Sequence, residues 1–89
     1  MTEQIEPPPA ITPIFSPAVG TYAKSASVTL SDATPGANIH FTTDGSTPTN
    51  ASPIFSKSFA IDKTTTIKAI AVATGYSASP IATATYTIK

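Results

Sequence analysis

The sequence predicts an all-β domain, an immunoglobulin-like antiparallel β-sandwich of about seven short strands. Apolar and polar residues alternate with a period of two in several short runs, which is typical of strands with one face on a core and the other in water. Turn-forming Gly, Pro and Asp residues separate these runs, and no stretch keeps a helical spacing over three turns. Short strands at regular spacing, with turns between them, favour a small sandwich.

The positions of the strands follow from this alternation. In residues 26–30, Ala, Val and Leu alternate with Ser and Thr. In residues 38–43, Ile39 and Phe41 alternate with His40 and a threonine. Threonine suits the outer face of a strand because its branched Cβ is stiff. The predicted strands are 11–15, 26–30, 38–43, 54–55, 59–61, 66–73 and 81–88.

Two of these runs predict a place in the sandwich as well as a strand. Residues 66–73 carry apolar side chains on both faces, so we expect a central strand whose second face is partly covered. Residues 81–88 alternate Ala, Tyr and Ile with Thr, which predicts a strand with one solvent-exposed face. Residue parity directs four aromatic side chains into the core, namely Phe15, Phe41, Phe59 and Tyr86. Because the chain has no Cys and no Trp, packing alone must hold the sheets together.

Turn signals occur between the runs. They lie at residues 16–20, 31–36, 44–48, 62–63 and 75–77. Pro-Gly and Asp-Gly pairs supply the fixed φ and the positive φ that tight turns need. Each signal therefore predicts a turn between two strands.

The chain is short enough for one domain. Its 89 residues include nine Pro, and three of these are consecutive at positions 7–9. Consecutive prolines favour a stiff polyproline II segment that lacks backbone donors. We therefore predict a tail and proline-rich linker at residues 1–10 and a single immunoglobulin-like β-sandwich at residues 11–89.

The composition excludes several classes of function. There is no Cys, no Arg and one His, and five Lys balance five acidic residues to a net charge of zero. A disulfide, a thiol nucleophile and a Cys-ligated or paired-His metal site are therefore excluded, and no basic patch is available to bind nucleic acid. The apolar runs are too short for membrane insertion. We expect no cofactor, no metal site and no catalytic residues.

Residues 44–49, Asp-Gly-Ser-Thr-Pro-Thr, are the most distinctive loop signal. The Asp44 carboxylate can accept hydrogen bonds from backbone N–H groups two or three residues on, and Gly45 can adopt a positive φ. Pro48 fixes its own φ and holds Thr47 extended. We interpret this segment as a structural loop motif made by Asp44, Gly45, Ser46, Pro48 and Thr49.

The acidic residues and the histidine do not predict catalysis. Asp32, Asp44 and Asp62 each lie in a turn signal, and none has the apolar setting that a glycosidase acid needs. A calcium site would require the three to converge, since calcium prefers six to eight oxygen ligands. His40 has the opposite parity to its apolar neighbours, so we predict that it is exposed on the outer face of a strand.

Glycan contact would need exposed aromatic side chains on which a sugar ring can stack. Tyr22 and Tyr76 lie near turn glycines, and Phe55 follows the central loop, so these three are the candidate ligand contacts. Tyr22 has an alternative structural role, in which its ring plugs one end of the core and its hydroxyl stays at the rim.

Four segments carry a resemblance to a known family. They are PIFSPAVGTY (13–22), SVTL (27–30), GANIHFTTDGSTPT (36–49) and TTIKAIAVATGYSASPIATATYTI (65–88). Together they resemble the chitobiase/β-hexosaminidase C-terminal domain family of immunoglobulin-like modules, and residues 43–49 are the most specific part of the match. Phe41 and Phe55 stand where that family commonly has Tyr, so each keeps an aromatic ring and lacks a hydroxyl.

The resemblance implies a non-catalytic accessory module, a spacer or scaffold within a larger secreted or surface multidomain bacterial protein such as a carbohydrate-active enzyme. Its partners would be the neighbouring domains, its location extracellular or at the cell surface, and its state monomeric. Two alternatives stay open. One is a carbohydrate-binding module that contacts polysaccharide. The other is a protein–protein adhesion or assembly domain that uses an open sheet edge, for which the terminal strand 81–88 is the candidate.

Overall fold

The computed structural model describes residues 8–16 and 18–89. These residues form seven β-strands and no helix, so the predicted all-β class is confirmed. None of the described segments is a helix that could span a membrane. The strands are β1 (Ile14–Ser16), β2 (Gly20–Tyr22), β3 (Ala26–Ser31), β4 (Asn38–Thr42), β5 (Phe59–Ile61), β6 (Thr65–Val72) and β7 (Ala82–Ile88).

The strands form two sheets, with the order β1-β3-β5 in the first and β2-β7-β6-β4 in the second. All pairings are antiparallel except that of β2 with β7, which is parallel. The prediction of a purely antiparallel sandwich was therefore wrong at this one edge. Because β2 and β7 are separated by most of the chain, no local turn sets their relative direction.

One hydrophobic core lies between the two sheets. Its members alternate with exposed Ser and Thr along β3 and β7, as the period of two predicts. Val28, Ile67 and Tyr86 have no exposed surface, and the predicted aromatics Phe15, Phe41 and Phe59 pack around the core half-buried. Since both sheets contribute to one core, the domain is a β-sandwich. The immunoglobulin-like topology stays a prediction.

The central position predicted for residues 66–73 is confirmed, because β6 lies between β7 and β4. Ile67 and Ala69 are fully buried on the inner face. Ile70, on the opposite face, is only 8% exposed. This strand therefore has cover on both sides.

The sequence placed one strand wrongly and missed another. Residues 54–55 do not form a strand; Ile54 makes an isolated bridge to His40, and residues 53–55 make two backbone hydrogen bonds to the outer edge of β4. Conversely, β2 was not predicted: it begins at Gly20, the last residue of the 16–20 turn signal, and continues over Thr21 and Tyr22. Its sequence Gly-Thr-Tyr holds one large apolar side chain and therefore shows no alternation.

His40 is buried, so the prediction of an exposed side chain was also wrong. Its parity is as predicted, since it pairs with Ile70 on the outer face of the second sheet. It is nevertheless only 7% exposed, because the chain returns past this face and places the Ser52 carbonyl 2.9 Å from the imidazole Nδ1.

The chain enters the sandwich beside the loop between β6 and β7. Pro9 forms a parallel bridge with Ser77, whose N–H donates to the Pro8 carbonyl at 3.0 Å and whose carbonyl accepts from the Ala10 N–H at 2.9 Å. Ala10 is only 2% exposed. These contacts attach residues 8–10 to the domain. Of the predicted tail and proline-rich linker at residues 1–10, residues 1–7 lie outside the described residues, and the boundary after residue 10 stays a prediction.

Candidate functional site

The loop after β4 is held by its own side chains. The Asp44 carboxylate accepts hydrogen bonds from the Ser46 N–H at 3.1 Å and the Ser46 hydroxyl at 2.6 Å. Gly45 between them has a φ of 80°, which a residue with a side chain adopts only with strain. The Thr42 hydroxyl donates to the Ser46 carbonyl at 2.7 Å and closes the turn. This is the geometry of an Asx-turn.

Asp44 is held in the turn through its Oδ1, which accepts both hydrogen bonds from Ser46. The hydrogen bond from the Ser46 hydroxyl, followed by that from its N–H, lowers the pKa of the carboxyl below its ordinary value. A lowered pKa favours the carboxylate and opposes a role as general acid, which needs the opposite shift. The Oδ1 of Asp44 therefore already accepts hydrogen bonds from within the loop.

A second capped turn follows at residues 49–52. The Thr49 N–H donates to the Ser52 hydroxyl at 2.9 Å, and the Ser52 N–H donates to the Thr49 carbonyl at 2.9 Å. The Thr49 hydroxyl accepts from the Ala51 N–H at 3.1 Å, while Pro48 is buried beside this turn. Both turns lead the chain back along the outer edge of β4.

The three turn acids do not form a metal site. Asp32 lies between β3 and β4, where one carboxylate oxygen accepts from the Thr34 N–H at 2.8 Å, and its other oxygen is buried without a hydrogen-bond partner. Asp44 lies beyond the opposite end of β4, and Asp62 follows β5. In residues 8–16 and 18–89, no three His, Cys, Asp or Glu side chains are close enough to hold a metal ion together.

Tyr22, the first candidate ligand contact, packs mainly against the core. Its ring is half-buried and meets the ring of Tyr86 with centroids 6.0 Å apart and a tilt of 53°. Its hydroxyl donates to the Ala18 carbonyl. The ring therefore closes one end of the core, and its hydroxyl is engaged at the rim.

Phe55, the second candidate, belongs to an aromatic cluster. Its ring meets those of Phe41 and Phe59 edge-on, with centroids 6.3 Å apart in each case. Phe41 and Phe59 stack with centroids 5.1 Å apart and an angle of 13°. The cluster joins the edge strands of the two sheets, β4 and β5, through side chains alone.

Tyr76, the third candidate, is half-buried in the loop between β6 and β7, where its N–H donates to the Ala73 carbonyl. Tyr22 lies at the opposite end of β7, beside Ile88. The six residue steps from Ala82 to Ile88 span about 20 Å. The three candidates therefore do not form one platform on which a sugar could stack.

Two open grooves meet at Thr43, on the side of the sandwich where β4 and β5 are the edge strands. The first, of about 280 Å³, lies over the Asp44 loop. The second, of about 300 Å³, follows residues 59–63 and is completed by Thr43 and Thr65 of the other sheet. We call the second one the β5 groove. No sequence signal could have located it, because its two walls come from different sheets.

The geometry thus defines a class of protein: a small two-sheet β domain in which Asp32 and Asp44 cap their own turns and six of the seven aromatic rings pack in or against the core. Residues 17–88 match the sequence profile of the chitobiase/beta-hexosaminidase C-terminal domain family, and the chain belongs to that family. The resemblance seen in the sequence is confirmed by this match. Comparisons with curated proteins and with solved structures gave no match.

Proposed function

We propose that this domain is a non-catalytic accessory module of a larger secreted or surface bacterial protein, a carbohydrate-active enzyme, and that it acts as a rigid spacer between neighbouring domains. The family is named for the C-terminal domain of chitobiase and β-hexosaminidase, which supports a module appended to such an enzyme. The setting outside the cell and the monomeric state are part of this proposal.

The observation that carries the spacer role is the position of the two ends of the domain. The entering segment, residues 8–10, lies against Ser77 in the loop before β7. The last residue, Lys89, lies beyond the far end of β7 and donates its N–H to the Tyr22 carbonyl at 3.0 Å. With β7 about 20 Å long, domains joined before and after the sandwich are held at opposite ends of it.

Both ends are also fixed to the sandwich by backbone hydrogen bonds. At the exit, the Lys89 carbonyl accepts from the Lys24 N–H at 2.9 Å. At the entrance, the Ile11 N–H donates to the Thr34 hydroxyl at 2.7 Å, in addition to the contacts with Ser77. Because residues 10–11 at the entrance and Lys89 at the exit are hydrogen-bonded to the sandwich, the orientation of one neighbouring domain constrains that of the other.

The arrangement of the acids supports a non-catalytic role. Glycoside hydrolysis commonly uses two carboxyl groups about 5–10 Å apart, one of them with a raised pKa. Asp44 has a lowered pKa instead. Asp32 and Asp44 lie beyond opposite ends of β4. Both pockets described above are open grooves rather than enclosed sites.

The experiment places the 89-residue chain between a donor and an acceptor fluorescent protein and records single-molecule energy transfer. A rigid spacer gives one narrow distribution, whereas a Gly/Ser linker of the same length gives a broad one. A matched variant, Ala10→Asp, should broaden the distribution, because a buried charge detaches the entering segment. A distribution as broad as that of the Gly/Ser linker, or a non-cooperative thermal melt of the unmodified chain, would rule out the rigid spacer.

A further inference from the structure

The free edges of the two sheets differ from those the sequence suggests. The terminal strand β7 is not an edge, because it lies between β2 and β6. The outer edge of β4 is covered by residues 53–55 through backbone hydrogen bonds. β5 lies on the same side of the sandwich. One edge of β5 pairs with β3, and within the described residues no strand pairs with its other edge.

The β5 groove lies where a further strand would meet β5. A strand added to β5 would continue the first sheet, and every second side chain would then point toward the second sheet. The groove provides about 300 Å³ on that side, between Phe59 and Ile61 of β5 and the residues Thr43 and Thr65. An edge strand with an open groove beside it is the arrangement that binds extended peptides by strand addition.

The sequence of β5 places no Pro and no charged side chain on this edge, which is three residues long. Natural sheets commonly block a free edge with Pro or with charged side chains on the strand itself. β5 reads Phe-Ala-Ile and has neither. The charged residues lie just outside it, with Lys57 before the strand and Asp62 and Lys63 after it.

The two lysines make the surroundings of β5 attractive to carboxylates. Lys57 and Lys63 are both exposed, and residues 57–63 hold two Lys against the single Asp62, a net charge of +1. Acidic side chains at the two ends of a bound segment would lie near one lysine each. An all-basic segment would be repelled at both ends.

We propose that β5 is an acceptor strand for an extended peptide segment of another polypeptide, with β-branched or other apolar side chains facing the groove and acidic residues at its ends. The segment pairs through its backbone with the free edge of β5. This proposal names a partner surface for the accessory module and does not depend on the spacer geometry, so either can fail while the other stands.

The test titrates the ¹⁵N-labelled full chain with the capped peptide Glu-Thr-Val-Thr-Val-Thr-Glu and with a twin in which Lys replaces both Glu. The acidic peptide should shift the backbone amide signals of β5, with an affinity about tenfold higher than that of the basic twin. The double variant Lys57→Glu/Lys63→Glu should reverse this preference. Because both side chains are exposed, the variant should keep the fold, as its amide spectrum will show.

A second control tests the backbone pairing. The acidic peptide carrying N-methyl groups at alternate residues, prepared in both possible registers, should lose binding in at least one register. Equal binding of the acidic and basic peptides, shifts confined to residues away from β5, or no shifts at millimolar peptide would overturn the proposal. Shifts of the β5 amides by chitin oligosaccharides alone would overturn it as well.

Discussion

The imidazole Nδ1 of His40 lies 2.9 Å from the carbonyl oxygen of Ser52. A carbonyl oxygen can only accept a hydrogen bond, so Nδ1 carries the proton and donates. This contact joins the outer face of β4 to the capped turn at residues 49–52. It therefore holds the segment that covers the outer edge of β4.

Replacement of His40 by Ala should destabilise the domain by about 1–3 kcal/mol, because the Ser52 carbonyl loses its donor and a buried side chain is removed. For a domain of this size, that corresponds to a fall in Tm of roughly 5–20 °C. Urea denaturation followed by circular dichroism measures the effect. His40→Asn is the matched control, since its amide can donate from nearly the same position and should restore part of the loss. Equal stability of His40→Ala and the parent would contradict the role given to this hydrogen bond.

Asp44 should titrate below the ordinary aspartate pKa of about 3.9, because Ser46 donates twice to its carboxylate. Since the pKa is lowered in the folded state, the stabilisation from these bonds is present above the unfolded pKa and is lost as the pH falls through the folded value. The Ser46 amide signal, followed by NMR from pH 6 to pH 2, reports the midpoint. In Asp44→Asn this titration should vanish. A midpoint at or above the ordinary value would show that the Asx-turn does not form in solution.

Tyr86 should make the domain sensitive to alkali. Burial raises the pKa of its hydroxyl, and the interaction with Tyr22 raises it further. The stabilisation is then complete below the unfolded pKa of about 10 and falls as the pH rises beyond it, because the unfolded chain releases the proton first. Thermal melts between pH 8 and pH 11 should show this decline. Tyr86→Phe should flatten it, and a profile unchanged by that substitution would assign the decline to other groups.

The three candidate ligand contacts should not hold the domain on insoluble polysaccharide. Tyr22 and Phe55 pack their rings against the core, and Tyr76 and Tyr22 lie at opposite ends of β7, a strand about 20 Å long. In a pull-down on chitin and cellulose, we expect no retention of the parent chain. Thermal melts should show larger losses for Tyr22→Ala and Phe55→Ala than for Tyr76→Ala, because the first two remove core contacts. Retention that any of these substitutions abolishes would favour the carbohydrate-binding alternative.

The sequence predicted most of the local structure correctly because side-chain alternation is a local property. β3, β5 and β7 match their predicted runs to within a residue, and β6 has the central position that its two apolar faces indicate. The Asp44 turn could also be anticipated, since its donors and acceptor lie within four residues of each other. The β2 strand was missed because it starts at a turn glycine and reads Gly-Thr-Tyr, which shows no alternation of apolar and polar side chains.

What the sequence by itself determined is which residues form strands, which side chains face the core and which loop closes on itself. Only the tertiary structure decided that His40 is buried, that β2 pairs parallel with β7, and that within residues 8–16 and 18–89 one edge of β5 is unpaired beside a groove. The physical reason is the range of the interactions. Alternation and turn chemistry act between residues a few positions apart, whereas the cover over His40 and the walls of the β5 groove come from segments that meet only after the two sheets have packed.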